Sequence, residues 1–317
     1  MTRNIDHDGL GNALADKAHL ASPPNIIASP RARSGPASKL PPTVESWNTK
    51  DLPWRVTSDF TAAACASGLV SPFIAIIDRA IIERASSRCT LRSSLLSSFT
   101  SLLSAPHRFL ASKPALLVSA LYFGTYLTAN TVDTCKSTVA NRPASATTSG
   151  PTKFAATSTV NMSLCLLKDS QYAKMFGGAA GAGARPGPVP MASYALFALR
   201  DSLTIFASFN LPPLIAPVLP MSAEVERQVS RANVAQFLAP AGIQLLSTPL
   251  HLWGLDLYNR PSGAGNVVGV ASRLRRVGRD WLGSSAARMA RVIPAFGIGG
   301  VVNAGVRKRM MMGLQGE

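Results

Sequence analysis

The sequence predicts an all-α membrane protein of six transmembrane helices arranged as three helix-pair pseudo-repeats. Hydrophobic residues make up 47% of the chain and charged residues only 15%, whereas soluble domains carry about 25% charged residues. The apolar residues also gather into six blocks, each close to the roughly 20 residues that a helix needs to cross a bilayer. The mean hydropathy is positive, at +0.17, although the chain holds 32 Lys and Arg. This indicates that the charges are concentrated in the connections between helices.

The six blocks differ in polarity along the chain. The first contains small residues such as Ala63 and Gly68, which let helices approach each other closely. The third is more polar and carries Ser158 and Asn161, so it needs a protein or water-filled interior to face. We therefore expect a helical bundle with a polar lumen. The blocks lie at residues 59–82, 114–132, 154–176, 189–211, 234–257 and 286–306.

Residues 1–55 are predicted to be a disordered polar extension, because prolines recur and no apolar block is present. They lack the apolar core of a secretory signal, and Asp6 and Asp8 depart from the acid-poor pattern of a transit peptide. Targeting information is therefore expected inside the chain. A second flexible segment is expected at residues 177–190, where Gly, Ala and Pro predominate without the Gly-Lys-Ser/Thr of a phosphate-binding loop.

The chain carries a net charge of +16, and two of its connections are strongly basic, one between the first and second blocks and one between the fifth and sixth. The second of these carries Arg273, Arg275, Arg276 and Arg279. By the positive-inside tendency, both connections lie on one side of the membrane and both termini on the other. The arginines either mark sidedness alone or also bind anionic lipid. The chain has few aromatic residues interleaved with its basic clusters, so no nucleic-acid partner is expected.

A threefold repeat is indicated by residues that recur at intervals of about 90 positions. Asp78, Asp169 and Asp256 mark the odd blocks at this spacing, and Phe123 and Phe209 mark two of the even blocks. The repeat predicts three units after the extension. Their boundaries are 56–145, 146–222 and 223–317.

Motifs in the even blocks resemble the mitochondrial carrier family. They are the segment 119–126 in the second block, Arg200-Asp201 in the fourth, and Arg291-Val292-Ile293-Pro294 in the sixth. The resemblance implies a six-helix carrier of the mitochondrial inner membrane with both termini on the intermembrane-space side. It also implies transport of a small anionic or zwitterionic metabolite, of the amino-acid or carboxylate class, by alternating access.

The same resemblance suggests ligands for the solute. It implies that Arg200 and Arg291 bind carboxylates and that Asp201 accepts an ammonium group. An Arg in the middle of an apolar block also needs a lumen or a partner to face. The alternative is a structural ion pair between helices, in which Lys168 or Asp169 is the partner.

Candidate gate and kink positions lie on the odd blocks. Pro72 and Pro249 remove a backbone hydrogen bond inside a helix and are expected to kink it. Near them, the repeated aspartates Asp78, Asp169 and Asp256 take the place of the carrier family's gate charges, shifted by about one turn. Lys168 beside Asp169 is either part of this gate or half of a charge pair at a helix end.

Soluble-enzyme chemistry is not expected, because no nucleophile elbow, HExxH zinc motif or P-loop occurs. The four cysteines show no metal-ligand spacing, so neither a cofactor nor a metal is predicted. The acidic positions of the carrier gates are lost after Pro72 and Pro249. This leaves a second hypothesis, a degenerate carrier that acts as a membrane scaffold or adaptor, whose protein partners the sequence does not identify.

Overall fold

The computed structural model describes most of the chain as helix. Within the described part no residue belongs to a β-strand. Most of the predicted N-terminal extension and most of the segment 177–190 lie outside the described residues. The structure describes residues 47–148, 150–177, 187–261 and 268–315.

The first described helix, α1, extends over 34 residues, Leu52–Ala85. It begins inside the predicted extension, and Pro53 lies in its first turn, where the missing N–H costs no helical hydrogen bond. Its residues 60–77 are all uncharged. At 1.5 Å per residue this run is about 27 Å long, close to the thickness of a bilayer's hydrocarbon core.

The chain returns along α1 through helix α4, Lys113–Val139. Two shorter helices come first: α2, Leu91–Ser104, and α3, Pro106–Leu110. Helix α2 begins where the Thr90 hydroxyl accepts the backbone N–H of Ser93, which satisfies one of the free donors of the first turn. The first basic connection is therefore largely helical.

Helices α5, Pro151–Phe176, and α6, Met191–Asn210, coincide closely with the third and fourth blocks. The backbone enters α5 through Gly150 at φ +123°, a conformation that residues with a Cβ atom rarely adopt. Helix α5 packs on α4 and on α6. It therefore connects the first half of the chain to the second.

The fifth block consists of two helices, α9 and α10, which are separated at Ile243. Ser230 begins α9 by accepting the backbone N–H of Asn233. Helix α9 is Arg231–Gly242 and α10 is Gln244–Asn259. Three short elements precede α9: α7, Pro212–Ile215; a 3₁₀ turn, Ala216–Val218; and α8, Ala223–Gln228.

The sixth block continues a helix that starts within the second basic connection. Helix α11, Val270–Ala290, leads into a π-helical segment, Ile293–Gly300, and then α12, Val301–Gln315. The arginines at 273–279, which the sequence places in the connection between the fifth and sixth blocks, therefore lie within a helix. Arginine is a good helix former, and Arg273 is held against α10 by Asp256.

Among the described residues, three helical segments are long and apolar enough to cross a membrane: Leu52–Ala85, Lys113–Val139 and Val270–Leu314. The predicted all-helical architecture is confirmed for the described residues. The six-helix arrangement, the threefold repeat and its boundaries at 56–145, 146–222 and 223–317 stay predictions.

Candidate functional site

A group of charged side chains from separate helices meets in the interior of the protein. We call it the ion-pair cluster. All of its members except Arg291 are less than a tenth exposed. The cluster consists of Asp78 from α1, Lys168 and Asp169 from α5, Arg200 and Asp201 from α6, and Arg291 from the turn after α11.

Lys168 joins α5 to α1. Its Nζ lies 2.5 Å from Asp78 Oδ2 and 2.7 Å from Asp169 Oδ1. The other oxygen of Asp78, Oδ1, accepts a hydrogen bond of 2.7 Å from Nη1 of Arg291. Asp78 therefore has one cation on each carboxylate oxygen, and each cation comes from a different helix.

Arg200 joins α5 to α6. Its Nη2 lies 2.6 Å from Asp169 Oδ2 and 2.6 Å from Asp201 Oδ1. Its Nη1 lies 2.9 Å from Nδ1 of His251 on α10. The structure thus places the predicted ligands Arg200 and Asp201 together, and it pairs Arg200 with Asp169, one of the two structural partners that the sequence allowed.

Several polar atoms at this site have no hydrogen-bond partner within the described part of the chain. In the cluster itself, Asp201 uses Oδ1 on Arg200, whereas its Oδ2 and Nε of Arg200 are buried and unpaired. On α10, Thr248 Oγ1, three residues before His251, is also buried and unpaired. A buried polar group without a partner costs about 1–3 kcal/mol. These atoms are therefore candidate contacts for a polar solute.

Arg288, a further buried arginine near the cluster, was not singled out from the sequence. It lies in the last turn of α11, and its side chain is buried and within electrostatic range of Arg200 and Arg291. The signal was present, because Arg288 and Arg291 are three residues apart at the start of an apolar block. Residues at this spacing share one face of a helix.

Only two of the three repeated aspartates belong to the ion-pair cluster. Asp78 and Asp169 share Lys168. Asp256 is instead held by Arg260 at 2.8 Å and Arg273 at 2.5 Å. The structure therefore does not bring Asp256 into the ion-pair cluster, because its cations lie next to it on α10 and at the start of α11.

The two candidate kink residues both lie inside helices that continue past them. Pro72 is buried within α1, six residues before Asp78. Pro249 lies within α10, two residues before His251. Each removes a backbone N–H from its helix close to a residue at the site.

Three side chains of metal-ligating type lie close together at this site. Ligand atoms of Cys165, Asp169 and Asp201 lie within 4.8 Å of one another. However, Nη2 of Arg200 contacts all three residues, at 3.4 Å from Cys165 Sγ and 2.6 Å from each carboxylate. The guanidinium fills the position that a metal ion would take, so these residues do not fit a metal site.

A second polar cluster lies toward the other end of α1. Asp59 accepts hydrogen bonds from Arg307 Nε at 2.7 Å and from Thr134 Oγ1 at 2.5 Å. Beside it, the side chains of Asn130 and Asn303 donate to each other at 2.9 Å. The 19 residues from Asp59 to Asp78 correspond to about 28 Å of helix. Relative to α1, the two polar clusters thus lie at opposite ends of its uncharged run.

Comparison with known families identifies the chain's relatives. Residues 62–311 match a protein family described as "Probable citrulline exporter", and the chain belongs to that family. A comparison with curated proteins gave no match. The match spans most of the described helices, from Ala62 in α1 to Met311 in α12. The protein is a multi-pass membrane protein.

The match corrects the resemblance to mitochondrial carriers, which is wrong. The motifs that suggested it were short: an Arg-Asp pair and an Arg-x-x-Pro inside apolar blocks. Buried ion pairs and proline-containing helices arise in many membrane proteins, because intramembrane charges need partners and proline is tolerated there. The expected mitochondrial inner membrane and the intermembrane-space location of the termini depended on that resemblance, and they lose their support with it.

Proposed function

We propose that this protein transports citrulline or a closely related neutral amino acid across its membrane, and that the ion-pair cluster forms part of the solute's path. The observation that carries the proposal is the cluster itself, which is buried in a membrane protein of a family described as probable citrulline exporters. Charged groups taken out of water cost several kcal/mol each unless they are paired. Within membrane proteins such groups mark substrate and ion pathways.

The chemistry of the site suits this solute. Citrulline carries an α-carboxylate, an α-ammonium group and a neutral ureido group. Guanidinium groups bind carboxylates with paired N–H donors, and the unpaired Oδ2 of Asp201 is an acceptor for an ammonium group. Thr248 Oγ1, also unpaired, supplies a neutral partner for the ureido group. The proposal thus keeps Arg200, Asp201 and Arg291 as solute ligands.

Transport by alternating access requires the cluster to open and close. In the structure, Lys168 and Arg291 hold α1 against α5 and the turn after α11 through Asp78. A solute that competes for Arg291 would release Asp78, because one guanidinium donor then exchanges a protein carboxylate for a solute carboxylate. We propose Asp78, Lys168 and Asp169 as this gate.

Pro72 and Pro249, which lie inside α1 and α10, and Asp256, which lies near the end of α10, also take part in the proposed movement. Pro72 and Pro249 leave backbone carbonyls without their usual partners near the cluster, so α1 and α10 bend there at lower cost. Asp256 and its arginines fix α10 to the start of α11. We propose that this pair stays closed while the cluster opens.

Uptake of radiolabelled citrulline into proteoliposomes tests the proposal. The wild-type protein is expected to accumulate citrulline above protein-free liposomes, and Asp201→Asn is expected to reduce the rate at least tenfold, because the ammonium loses its charged acceptor. The matched control is Glu226→Gln. This variant removes a carboxylate from an exposed pair with Arg231, and such pairs contribute about 0–1 kcal/mol.

Uptake equal to that of empty liposomes would refute the transport proposal. If citrulline is transported but Asp201→Asn and Glu226→Gln behave alike, the assignment of Asp201 is wrong while transport stands. A scaffold or adaptor predicts no uptake at all, together with loss of cellular function when residues 1–55 are deleted.

A further inference from the structure

We infer that Arg288 is the residue that recognises the α-carboxylate of the solute. The inference rests on the proposed function, and it names the group that selects zwitterionic amino acids over the corresponding amines. It starts from the fact that Arg288 is a buried cation that forms no ion pair with the described residues, although Asp78 and Asp169 lie within electrostatic range of it.

The side chain of Arg288 is anchored at one point only. Its Nε donates to Gln244 Oε1 at 2.9 Å, and the residue is 5% exposed. No ion pair of Arg288 occurs within the described residues, and neither Nη atom donates to a protein acceptor there. A guanidinium has five N–H donors, so its outer edge, the edge that binds carboxylates in bidentate fashion, is unused.

The other cations of the site already have protein carboxylates. Lys168 contacts Asp78 and Asp169, and Arg200 contacts Asp169 and Asp201. A solute carboxylate would have to displace one of these to bind either cation. Arg288 requires no such exchange, so it is the cation that can bind an anion while the cluster is closed.

Arg291 strengthens the case because it lies next to Arg288 on the same face. The two residues are three positions apart at the end of α11, a spacing that places side chains side by side. Arg291 uses only Nη1, on Asp78. Two neighbouring guanidinium groups repel each other in a low-dielectric interior, and a carboxylate bound between them relieves that repulsion.

The surroundings of Arg288 fit the rest of an amino acid. Gln244, which anchors Arg288, is buried one helical turn before the unpaired Thr248 Oγ1 on α10. Arg200, within electrostatic range of Arg288, holds Asp201 with its Oδ2 free. Arg288 contacts α10 at Gln244, and Arg200 contacts α10 at His251, so the two arginines meet this helix on either side of Thr248 in the sequence.

The experiment compares three ureido compounds on purified protein in detergent, by isothermal titration calorimetry. They are citrulline, N-carbamoylputrescine, which lacks the carboxylate, and 5-ureidopentanoate, which lacks the amine. For the wild-type protein we expect citrulline to bind at least tenfold more tightly than either analogue. In Arg288→Met the preference over N-carbamoylputrescine is expected to disappear, whereas the preference over 5-ureidopentanoate stays.

The matched control is Arg275→Met, which removes an exposed arginine from the same helix and should leave both preferences unchanged. Should Arg288→Met fail to fold, Arg288→Lys keeps the charge without the bidentate edge and should retain a reduced preference for the carboxylate. A folded Arg288 variant with the full wild-type preference overturns the inference alone. Wild-type protein that binds none of the three compounds contradicts the proposed function, and the inference fails with it.

Discussion

Gly299 provides a sharp test of how the C-terminal helix packs against α1 and α4. A Cβ built on Gly299 would lie 2.2 Å from Tyr126 Oη and 2.8 Å from Val70 Cγ2. The Tyr126 hydroxyl is fixed in place because it donates to the backbone oxygen of Ala295 at 2.8 Å. The π-helical segment 293–300 thus approaches α1 and α4 more closely than any side chain at position 299 allows.

Gly299→Ala is therefore expected to destabilise the protein. Overpacking costs typically about 1–3 kcal/mol, and displacing the Tyr126 hydroxyl from Ala295 costs about 1 kcal/mol more. Replacing glycine with alanine in a helix returns about 1 kcal/mol, which leaves a net loss of about 1–3 kcal/mol. The assay is thermal unfolding in detergent, followed by tryptophan fluorescence, and we expect a lower midpoint than in the wild-type protein.

Gly300 supplies the control, since nothing lies within 4 Å of a Cβ at that position. Gly300→Ala is expected to unfold at the wild-type temperature or above it. Adding Tyr126→Phe to Gly299→Ala should recover part of the loss, because the closest contacting atom is removed. Equal midpoints for Gly299→Ala and Gly300→Ala would refute the close packing of this segment.

Two further predictions concern other buried charges. Lys168→Met leaves Asp78 and Asp169 with one cation each. Breaking a buried ion pair costs about 3–5 kcal/mol, so the midpoint of thermal unfolding should fall further than in Glu226→Gln. An equal effect in the two variants would contradict the cluster's burial. Outside the membrane-spanning helices, burial and the hydrogen bond to Glu83 raise the pKa of the Cys89 thiol, which lowers its thiolate fraction at pH 8. Glu83→Gln should therefore lower the pKa of the Cys89 thiol. In a variant whose only cysteine is Cys89, this substitution should make maleimide labelling at pH 8 faster. Unchanged labelling would show that Glu83 does not act on the thiol.

The sequence by itself determined the membrane character and most of the helices. Block length and hydropathy follow from the thickness of the bilayer, so helices such as α4 and α6 could be placed without any tertiary information. The same physics singled out Arg200 and Asp201, because an ion pair inside an apolar block must face a partner. The short motifs in these blocks were too common to identify the family, which the match over residues 62–311 decided.

Only the tertiary structure decided which charges meet. Asp78 and Arg291 are 213 residues apart in the chain, and hydropathy shows that each needs a partner without showing which one. For the same reason Asp256 was grouped with Asp78, although the fold pairs it with Arg273 on the adjoining helix. Arg288 is a further case, since the lack of an ion pair to it among the described residues becomes visible only when the neighbouring helices are in place. Pairing depends on distances between helices, and these are set by packing in three dimensions rather than by the pattern along the chain.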